Sequence, residues 1–432
     1  MTSFHPRSLF RQAFGSLFAR QVGTTFLSQG LTLGLSLVTA SVTARWLGPG
    51  GRGQLALALL IPAMLSMFLS FGINSANVYF TASRRLPITE LAANSVMFSL
   101  LGTFLGCLIV LLLVAGRMLP VLVPGVPVTY VLVGLCSLPL GLLSSHFSSV
   151  LLGLRRVMIL NVLRILAAAL TVPLLFLFVV WLKLGTLGAI LNALAVSVLS
   201  FAGTAYCLRR EGVAFWPRWS LRVVRSTINY GMKSYVGDLL QFFNYRLDAF
   251  LVNAFIGPVG VGIYGASAVL AELLWQLPNS VGFVIFPKAA GTDHAAMNRF
   301  TPRVFWIVMA VSSLGAIVLA LFGRLAIHII LSDAFLDAYI PLLVLLPGVV
   351  LLGGGKVLTN DIAGRGYPHY NSIAAGFALV ITLALDLLLI PRMGIVGAAL
   401  ASTVAYSATF IMAVVFYSVV SRRPAGMGVP HA

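Results

Sequence analysis

No charged residue interrupts the 24 positions between Arg20 and Arg45, the 31 between Arg52 and Arg84, or the 26 between Glu90 and Arg117. An α-helix crosses the hydrocarbon core of a bilayer in about 20 predominantly apolar residues, so each run is long enough to span. A single soluble core could not bury such a surface, since 59% of the 432 residues are hydrophobic and only 9% are charged. The chain reads as an all-α integral membrane protein. The stretch from Arg117 to Arg155 is broken near Pro124 and Pro127 and supplies one span, roughly 128–153. Further spans are read at about 157–181, 185–208, 229–256, 260–287, 304–323, 338–357, 367–391 and 394–420, which makes about twelve transmembrane helices.

A formal net charge of +18 raises nucleic acid as a partner, but the distribution of the charge points to membrane lipids instead. With the N-terminus placed in the cytoplasm, cytoplasmic loops and helix ends hold 21 of the 28 Lys and Arg residues. The opposite side holds six (Arg45, Arg52, Arg117, Lys183, Arg324, Arg392), and Arg246 falls inside a span. This is the positive-inside pattern, with both termini cytoplasmic and no nucleic-acid partner. Arg7, Arg11 and Arg20 alternate with Phe10, Phe14, Leu17 and Phe18, so residues 1–20 read as a basic amphipathic segment rather than a cleavable signal. Cys107, Cys136 and Cys207 fall in spans at no ligand spacing, and His146, His294, His328 and His369 form no cluster. Neither a metal, nor a cofactor, nor a nucleophile motif is expected.

One string of turn residues is written twice. Leu47-Gly48-Pro49-Gly50-Gly51-Arg52-Gly53 returns 209 positions later as Ile256-Gly257-Pro258-Val259-Gly260-Val261-Gly262. At the same offset, Leu184-Gly185-Thr186-Leu187-Gly188-Ala189 matches Met393-Gly394-Ile395-Val396-Gly397-Ala398, and Gly153 with Asn161 more loosely matches Gly364 with Asn371. Each half holds an even number of spans, so the repeats run parallel, the plan of a two-lobe transporter. The divisions that follow are a cytoplasmic N-terminal segment 1–20, an N-lobe 21–208 with helices 1–6, and a basic interlobe linker 209–228. A C-lobe 229–420 with helices 7–12 and a cytoplasmic tail 421–432 complete the chain.

Polar residues recur on one face of the first two spans of each half. Thr25, Gln29, Thr32, Ser36, Thr39 and Thr43 fall in one stripe that runs roughly 27 Å at helical rise. Ser70, Asn74, Asn77 and Thr81 form a shorter stripe in the second span. The seventh span groups Asp238, Gln241, Asn244, Tyr245 and Asp248, and the eighth groups Gly265, Glu272, Gln276 and Asn279. Such stripes avoid lipid and face protein or water, which leaves two readings, a packing seam or a pathway. Gln29, Asn74, Asn77, Gln241, Asn244 and Gln276 are the candidate pathway amides. Asp238, Asp248 and Glu272 are candidates for coupling to H+ or Na+, or for an ion pair, with Arg246 meeting either Glu272 or a ligand. Arg164 and Asp386 lie near span ends and read as snorkelling or pairing locally.

At these residues the chain resembles a known family. Leu47 to Phe80 is similar to the first-to-second-span region of bacterial polysaccharide flippases. Arg246 to Ala290 resembles their seventh and eighth spans, including the intramembrane Asp, Gly262 to Tyr264, and the Phe-Pro at the cytoplasmic end. The resemblance implies the MATE-like fold of the multidrug, oligosaccharidyl-lipid and polysaccharide exporter superfamily, which alternates between inward-open and outward-open V shapes. Twelve spans fit its O-antigen and capsule type better than the fourteen-span lipid II flippases. The implied activity is translocation of a polyprenyl-diphosphate-linked oligosaccharide across the bacterial cytoplasmic membrane, with a polysaccharide polymerase and glycosyltransferases as partners. Arginine suits a diphosphate because its planar fork donates paired hydrogen bonds, so Arg45, Arg52, Arg84 and Arg246 are the candidates. For Arg52 and Arg84, membrane anchoring or ordinary loop solvation is an equal alternative. An ion-coupled multidrug antiporter of the same fold is the alternative reading. A membrane glycosyltransferase or polymerase is the third, weakened by outward loops whose only acids are Asp333 and Asp337.

Overall fold

The computed structural model describes residues 17–216, 220–291 and 294–422. The described residues are helical, with no strand among them. The first half contains α1 (Leu17–Leu69), α2 (Ile73–Ser83), α3 (Ile88–Ala115), α4 (Val128–Leu135), α5 (Ser137–Gly153), α6 (Val157–Leu175) and α7 (Gly185–Arg210). The second contains α8 (Leu221–Ile256), α9 (Pro258–Glu272), α10 (Gln276–Gly291), α11 (His294–Ala326), α12 (Tyr339–Gly364), α13 (His369–Met393) and α14 (Ile395–Ser421). Most of the basic segment read at 1–20 and of the tail at 421–432 lies outside the described residues.

Ten of these helices or joined helices are long and apolar enough to cross a membrane. The figure differs from twelve for two physical reasons. Residues 28–69 form one continuous apolar stretch, although Gly48 (φ 64, ψ −178) breaks its helical geometry. The helix α8 is long but not apolar enough, because Gln241, Asn244, Arg246, Asp248 and Asn253 interrupt it.

The chain divides into two compact units. The first holds the chain up to Trp46 together with Ala58–Gly116 and Val128–Tyr235. The second holds Leu47–Leu57, Arg117–Pro127 and the chain from Val236 onward. In the first unit, Ala92, Phe147, Val150, Leu151 and Leu208 form one buried cluster, and Leu65, Leu69, Val110, Leu138 and Leu142 another. In the second unit α14 packs along α12 through small residues: Ala398, Ala399, Ala401 and Ala405 are fully buried. Lipid offers apolar side chains no less comfort than protein does, so close backbone approach through small residues is what holds such helices together.

The twice-written loop explains itself within the second unit. Gly48 and Gly257 adopt nearly the same backbone conformation (φ 64, ψ −178 and φ 92, ψ −177), which a side chain would strain. A proline follows each and starts the next helix, where its missing N–H costs nothing. The last glycine of each copy then packs against the other copy. A Cβ on Gly53 would overlap the carbonyl oxygen of Pro258, and one on Gly262 would overlap that of Pro49. A second reciprocal approach lies in the first unit, where a Cβ on Gly72 would overlap the Gly231 carbonyl and the reverse also holds. The looser sequence match is repeated in contacts too: Gly153 abuts Thr81 and Val78, and Gly364 abuts Phe286 and Ala289.

Candidate functional site

The second unit concentrates polar side chains from α8, α9, α10, α12, α13 and α14 at mid-helix. A 3-10 turn over Leu273–Trp275 separates α9 from α10, and a tightened turn inside a long helix frequently marks a functional position. It places Glu272 and Trp275 at the break. The indole Nε1 donates to the Val349 carbonyl at 3.2 Å, which fixes the ring, and the Tyr245 ring lies 5.5 Å from it. Over that fixed indole sits the Lys356 ammonium, 4.1 Å from the ring centroid and 6.0 Å from that of Tyr245. Lys356 Nζ donates to Asn279 Oδ1 at 3.0 Å. Attraction of a cation to the indole face, together with one amide oxygen, replaces part of the water that Lys356 gives up. The approach is close because Gly353, Gly354 and Gly355 precede Lys356 on α12, with Pro278, Met309 and Phe410 against them.

Arg246 projects from α8 ten positions before its end, about 15 Å along the axis. Its charge is felt by Glu272, as is that of Lys356. No salt bridge joins either cation to Glu272 among the described residues. Asp248 acts on Glu272 as well and is itself acted on by Arg246, so two cations, Lys356 and the exposed Arg246, share this region with two acids. Gln241, Asn244, Tyr245, Lys356, Thr359 and Asn371 line an adjoining cavity of about 110 Å³.

The same region holds a carboxylate pair. Asp248 is buried and accepts hydrogen bonds from the Tyr264 hydroxyl (2.6 Å) and the Ala249 N–H (2.8 Å). Tyr264 Oη also lies 3.1 Å from Ser402 Oγ. Thr382 donates to Asn244 Oδ1 at 3.1 Å. Asp386, fully buried on α13, feels the charge of Asp248, and neither of its carboxylate oxygens has a hydrogen-bond partner among the described residues. Among the described residues no group of three His, Cys, Asp or Glu is placed to hold a metal ion.

The candidates read from the sequence fall in both units. Gln241, Asn244, Arg246, Asp248, Glu272 and Gln276 lie in the second unit, while Gln29, Arg45, Asn74, Asn77 and Arg84 lie in the first. The side chain of Asp238 lies outside the described residues. Arg52 belongs to the second unit, with its guanidinium 5.5 Å over the Phe335 ring. Arg45 and Arg84 are exposed, and Arg84 closes α2 in a left-handed turn (φ 52). Asn77 is fully buried: its Nδ2 donates to Ser95 Oγ (2.8 Å) and Ser149 Oγ (3.2 Å), a helix-packing seam. Of the first stripe, Thr32, Thr39 and Thr43 direct their hydroxyls to carbonyls of their own helix at 2.7, 3.0 and 2.8 Å.

Two charged side chains, Lys356 and Asp386, correct the sequence reading. The span read at 338–357 ends one residue past Lys356, which instead lies eight residues inside α12. Asp386 neither snorkels nor pairs among the described residues, being fully buried seven residues before the end of α13. Arg164 lines a cavity seven residues into α6. Hydropathy uses each such charge as a boundary, which hides charges that protein rather than lipid surrounds.

A sequence profile for the family described as "Polysaccharide biosynthesis protein" matches residues 18–291. The chain belongs to this family. It is 21% identical over 379 residues to a putative O-antigen transporter of Shigella flexneri, covering 85% of this chain and 89% of that one. It is also 21% identical over 202 residues to a probable low-salt glycan biosynthesis flippase of Haloferax volcanii. That match covers 45% of this chain and 42% of the relative, so the chain spans less than half the length of this archaeal protein. Among solved structures, the lipid II flippase MurJ in an inward closed conformation superposes with TM-score 0.75 at 14% identity, covering 92% of this chain and 87% of that one. An inward-facing multidrug resistance MATE family transporter superposes with TM-score 0.71 at 15% identity, covering 90% and 94%. The fold is that of the MATE and MurJ transporters.

Proposed function

We propose that this chain carries a lipid-linked saccharide across the bacterial cytoplasmic membrane by alternating access, for polysaccharide export. The observation that supports this reading best is the pair of cations at mid-helix, Arg246 and Lys356, both acting on Glu272, with Gln241, Asn244 and Tyr245 lining a cavity beside Lys356. A diphosphate matches two cations of this kind, the guanidinium by paired hydrogen bonds and the ammonium as a point charge. Amides and rings beside them suit the first sugars. On this reading twelve spans cross the membrane, both termini are cytoplasmic, and glycosyltransferases and a polymerase work on either side of the step. Arg45, Arg52, Arg84, Gln29 and Asn74 serve the path at its ends or not at all.

Surface glycan made by cells, at equal amounts of folded protein in the membrane, tests the assignment. Arg246→Ala and Lys356→Ala are each expected to lower export at least tenfold, as loss of a charge-assisted contact of about 1.5–3 kcal/mol does. Arg246→Lys, which keeps charge but loses the paired geometry, is expected to fall between Arg246→Ala and the parent. Full export by either alanine variant at normal abundance removes the diphosphate role.

A second reading, an ion-coupled multidrug antiporter, is favoured by one observation: the buried Asp248 and Asp386 pair, with the Asp386 oxygens unpartnered. In the first reading the same pair couples saccharide movement to H+ or Na+. Asp386→Asn separates the two. Loss of drug resistance with glycan export intact supports the antiporter, and loss of export alone supports the flippase.

A further inference from the structure

The first unit contains a larger cavity, of about 540 Å³, bounded by α2, α5, α6 and α7. Its volume falls within the roughly 300–1,000 Å³ typical of small-molecule sites. Six serines and Thr204 are among the residues that line it. Ser75, Ser144, Ser148 and Ser200 line it, and no hydrogen bond to a described residue occupies any of their hydroxyls. Asn74, also in the wall, donates to Ser145 Oγ at 2.8 Å, while its own Oδ1 is buried and has no partner. One charged side chain lines the cavity, Arg164, and no acid does. Leu152, Leu160 and Leu163 supply an apolar strip beside it.

These groups select a ligand by chemistry. Free hydroxyls and a bare amide oxygen match a polyol, because each can donate to or accept from a sugar hydroxyl. A leucine strip matches the C–H face of a pyranose. Arg164, exposed on α6 about 10 Å along the helix and in no ion pair among the described residues, offers its guanidinium to an anion of planar or tetrahedral oxygens. We propose that this cavity is a binding site for a saccharide unit carrying one anionic group, held by Arg164 through the anion and by the serine wall through the hydroxyls. The proposal rests on the reading of the chain as a carrier of lipid-linked saccharides and adds a second site, separate from the Arg246 and Lys356 cluster. It makes an acidic glycan the preferred cargo. The anion is the carboxylate of an acidic sugar or a phosphate on the glycan.

Isothermal titration calorimetry on the purified full-length chain in detergent tests it, with glucuronate, glucose 6-phosphate, glucose and inorganic phosphate as probes. The expected result is that glucuronate or glucose 6-phosphate binds at least tenfold more tightly than both glucose and inorganic phosphate. Whichever of the two binds tighter names the anion. Arg164→Gln is expected to reduce its affinity to that of glucose, Arg164→Lys to retain part of the gain, and the pair Ser144→Ala with Ser148→Ala to weaken it severalfold. Glucose binding as tightly as the acidic sugars overturns the role of Arg164. Inorganic phosphate binding as tightly overturns the role of the hydroxyl wall. Unchanged binding by Arg164→Gln, in protein whose thermal unfolding matches the parent, places the ligand elsewhere and overturns the site. Arg246→Ala is expected to leave this binding intact while stopping export, so failure here and failure of the translocation reading are told apart.

Discussion

At the scale of single residues, the same chemical group does different work according to what surrounds it. Asn77 and Asn244 both lie in polar stripes, yet Asn77 is fully enclosed by Ser95 and Ser149 while Asn244 borders a cavity next to Lys356. Asn77→Ala removes the donor from a buried seam and is expected to destabilise the fold by about 1–3 kcal/mol, read as a lower unfolding temperature of the purified protein. Asn244→Ala is expected to change export more than unfolding. A stripe in a sequence reports that a face avoids lipid and says nothing of whether protein or water meets it, so this distinction was not legible beforehand. Arg246 and Asp248 were legible, because charges deep inside an apolar run stand out. Lys356 was not, because the span was drawn to end one residue past its charge. The indole of Trp275 and the amide of Asn279 that shelter it come from helices some 80 positions away along the chain.

At the scale of elements, the boundaries of most helices follow from the apolar runs, and the departures have local causes. The break between α9 and α10 left one mark in the sequence, Pro278, which has no N–H to offer the Leu274 carbonyl and so loosens the turn over Leu273–Trp275. Its role is to hold Trp275 under Lys356. Replacing Trp275 with leucine is expected to expose the ammonium, raising its rate of acylation by a small amine-reactive reagent as followed by mass spectrometry. Replacing it with phenylalanine, which keeps an aromatic face, is expected to change the rate less. The turn between α1 and α2 differs: Phe71 and Gly72 both have positive φ (46 and 69), and Gly72 meets Gly231 backbone to backbone. Glycine at such places is readable as punctuation, although only the structure tells which partner requires it.

At the scale of the whole chain, the positive-inside reading makes a prediction about sidedness. In a variant lacking Cys107, Cys136 and Cys207, a cysteine at Val121, 77% exposed, is expected to react with an impermeant reagent added outside intact cells. A cysteine at Arg210 is expected to react only after the membrane is opened. The opposite pattern reverses the orientation. The paired loops make another. Gly53→Ala and Gly262→Ala each force a methyl group into a proline carbonyl and are expected to lower stability by about 1–3 kcal/mol. Gly34→Ala, with nothing within 4 Å, serves as the neutral control. The reciprocity of that contact bears on the history written in the chain. Two copies of an ancestral segment drift apart wherever each meets its own neighbours, but at this place each copy is the other's environment. A methyl group added to either glycine meets the proline carbonyl of the other copy, so each loop limits the spelling of its twin.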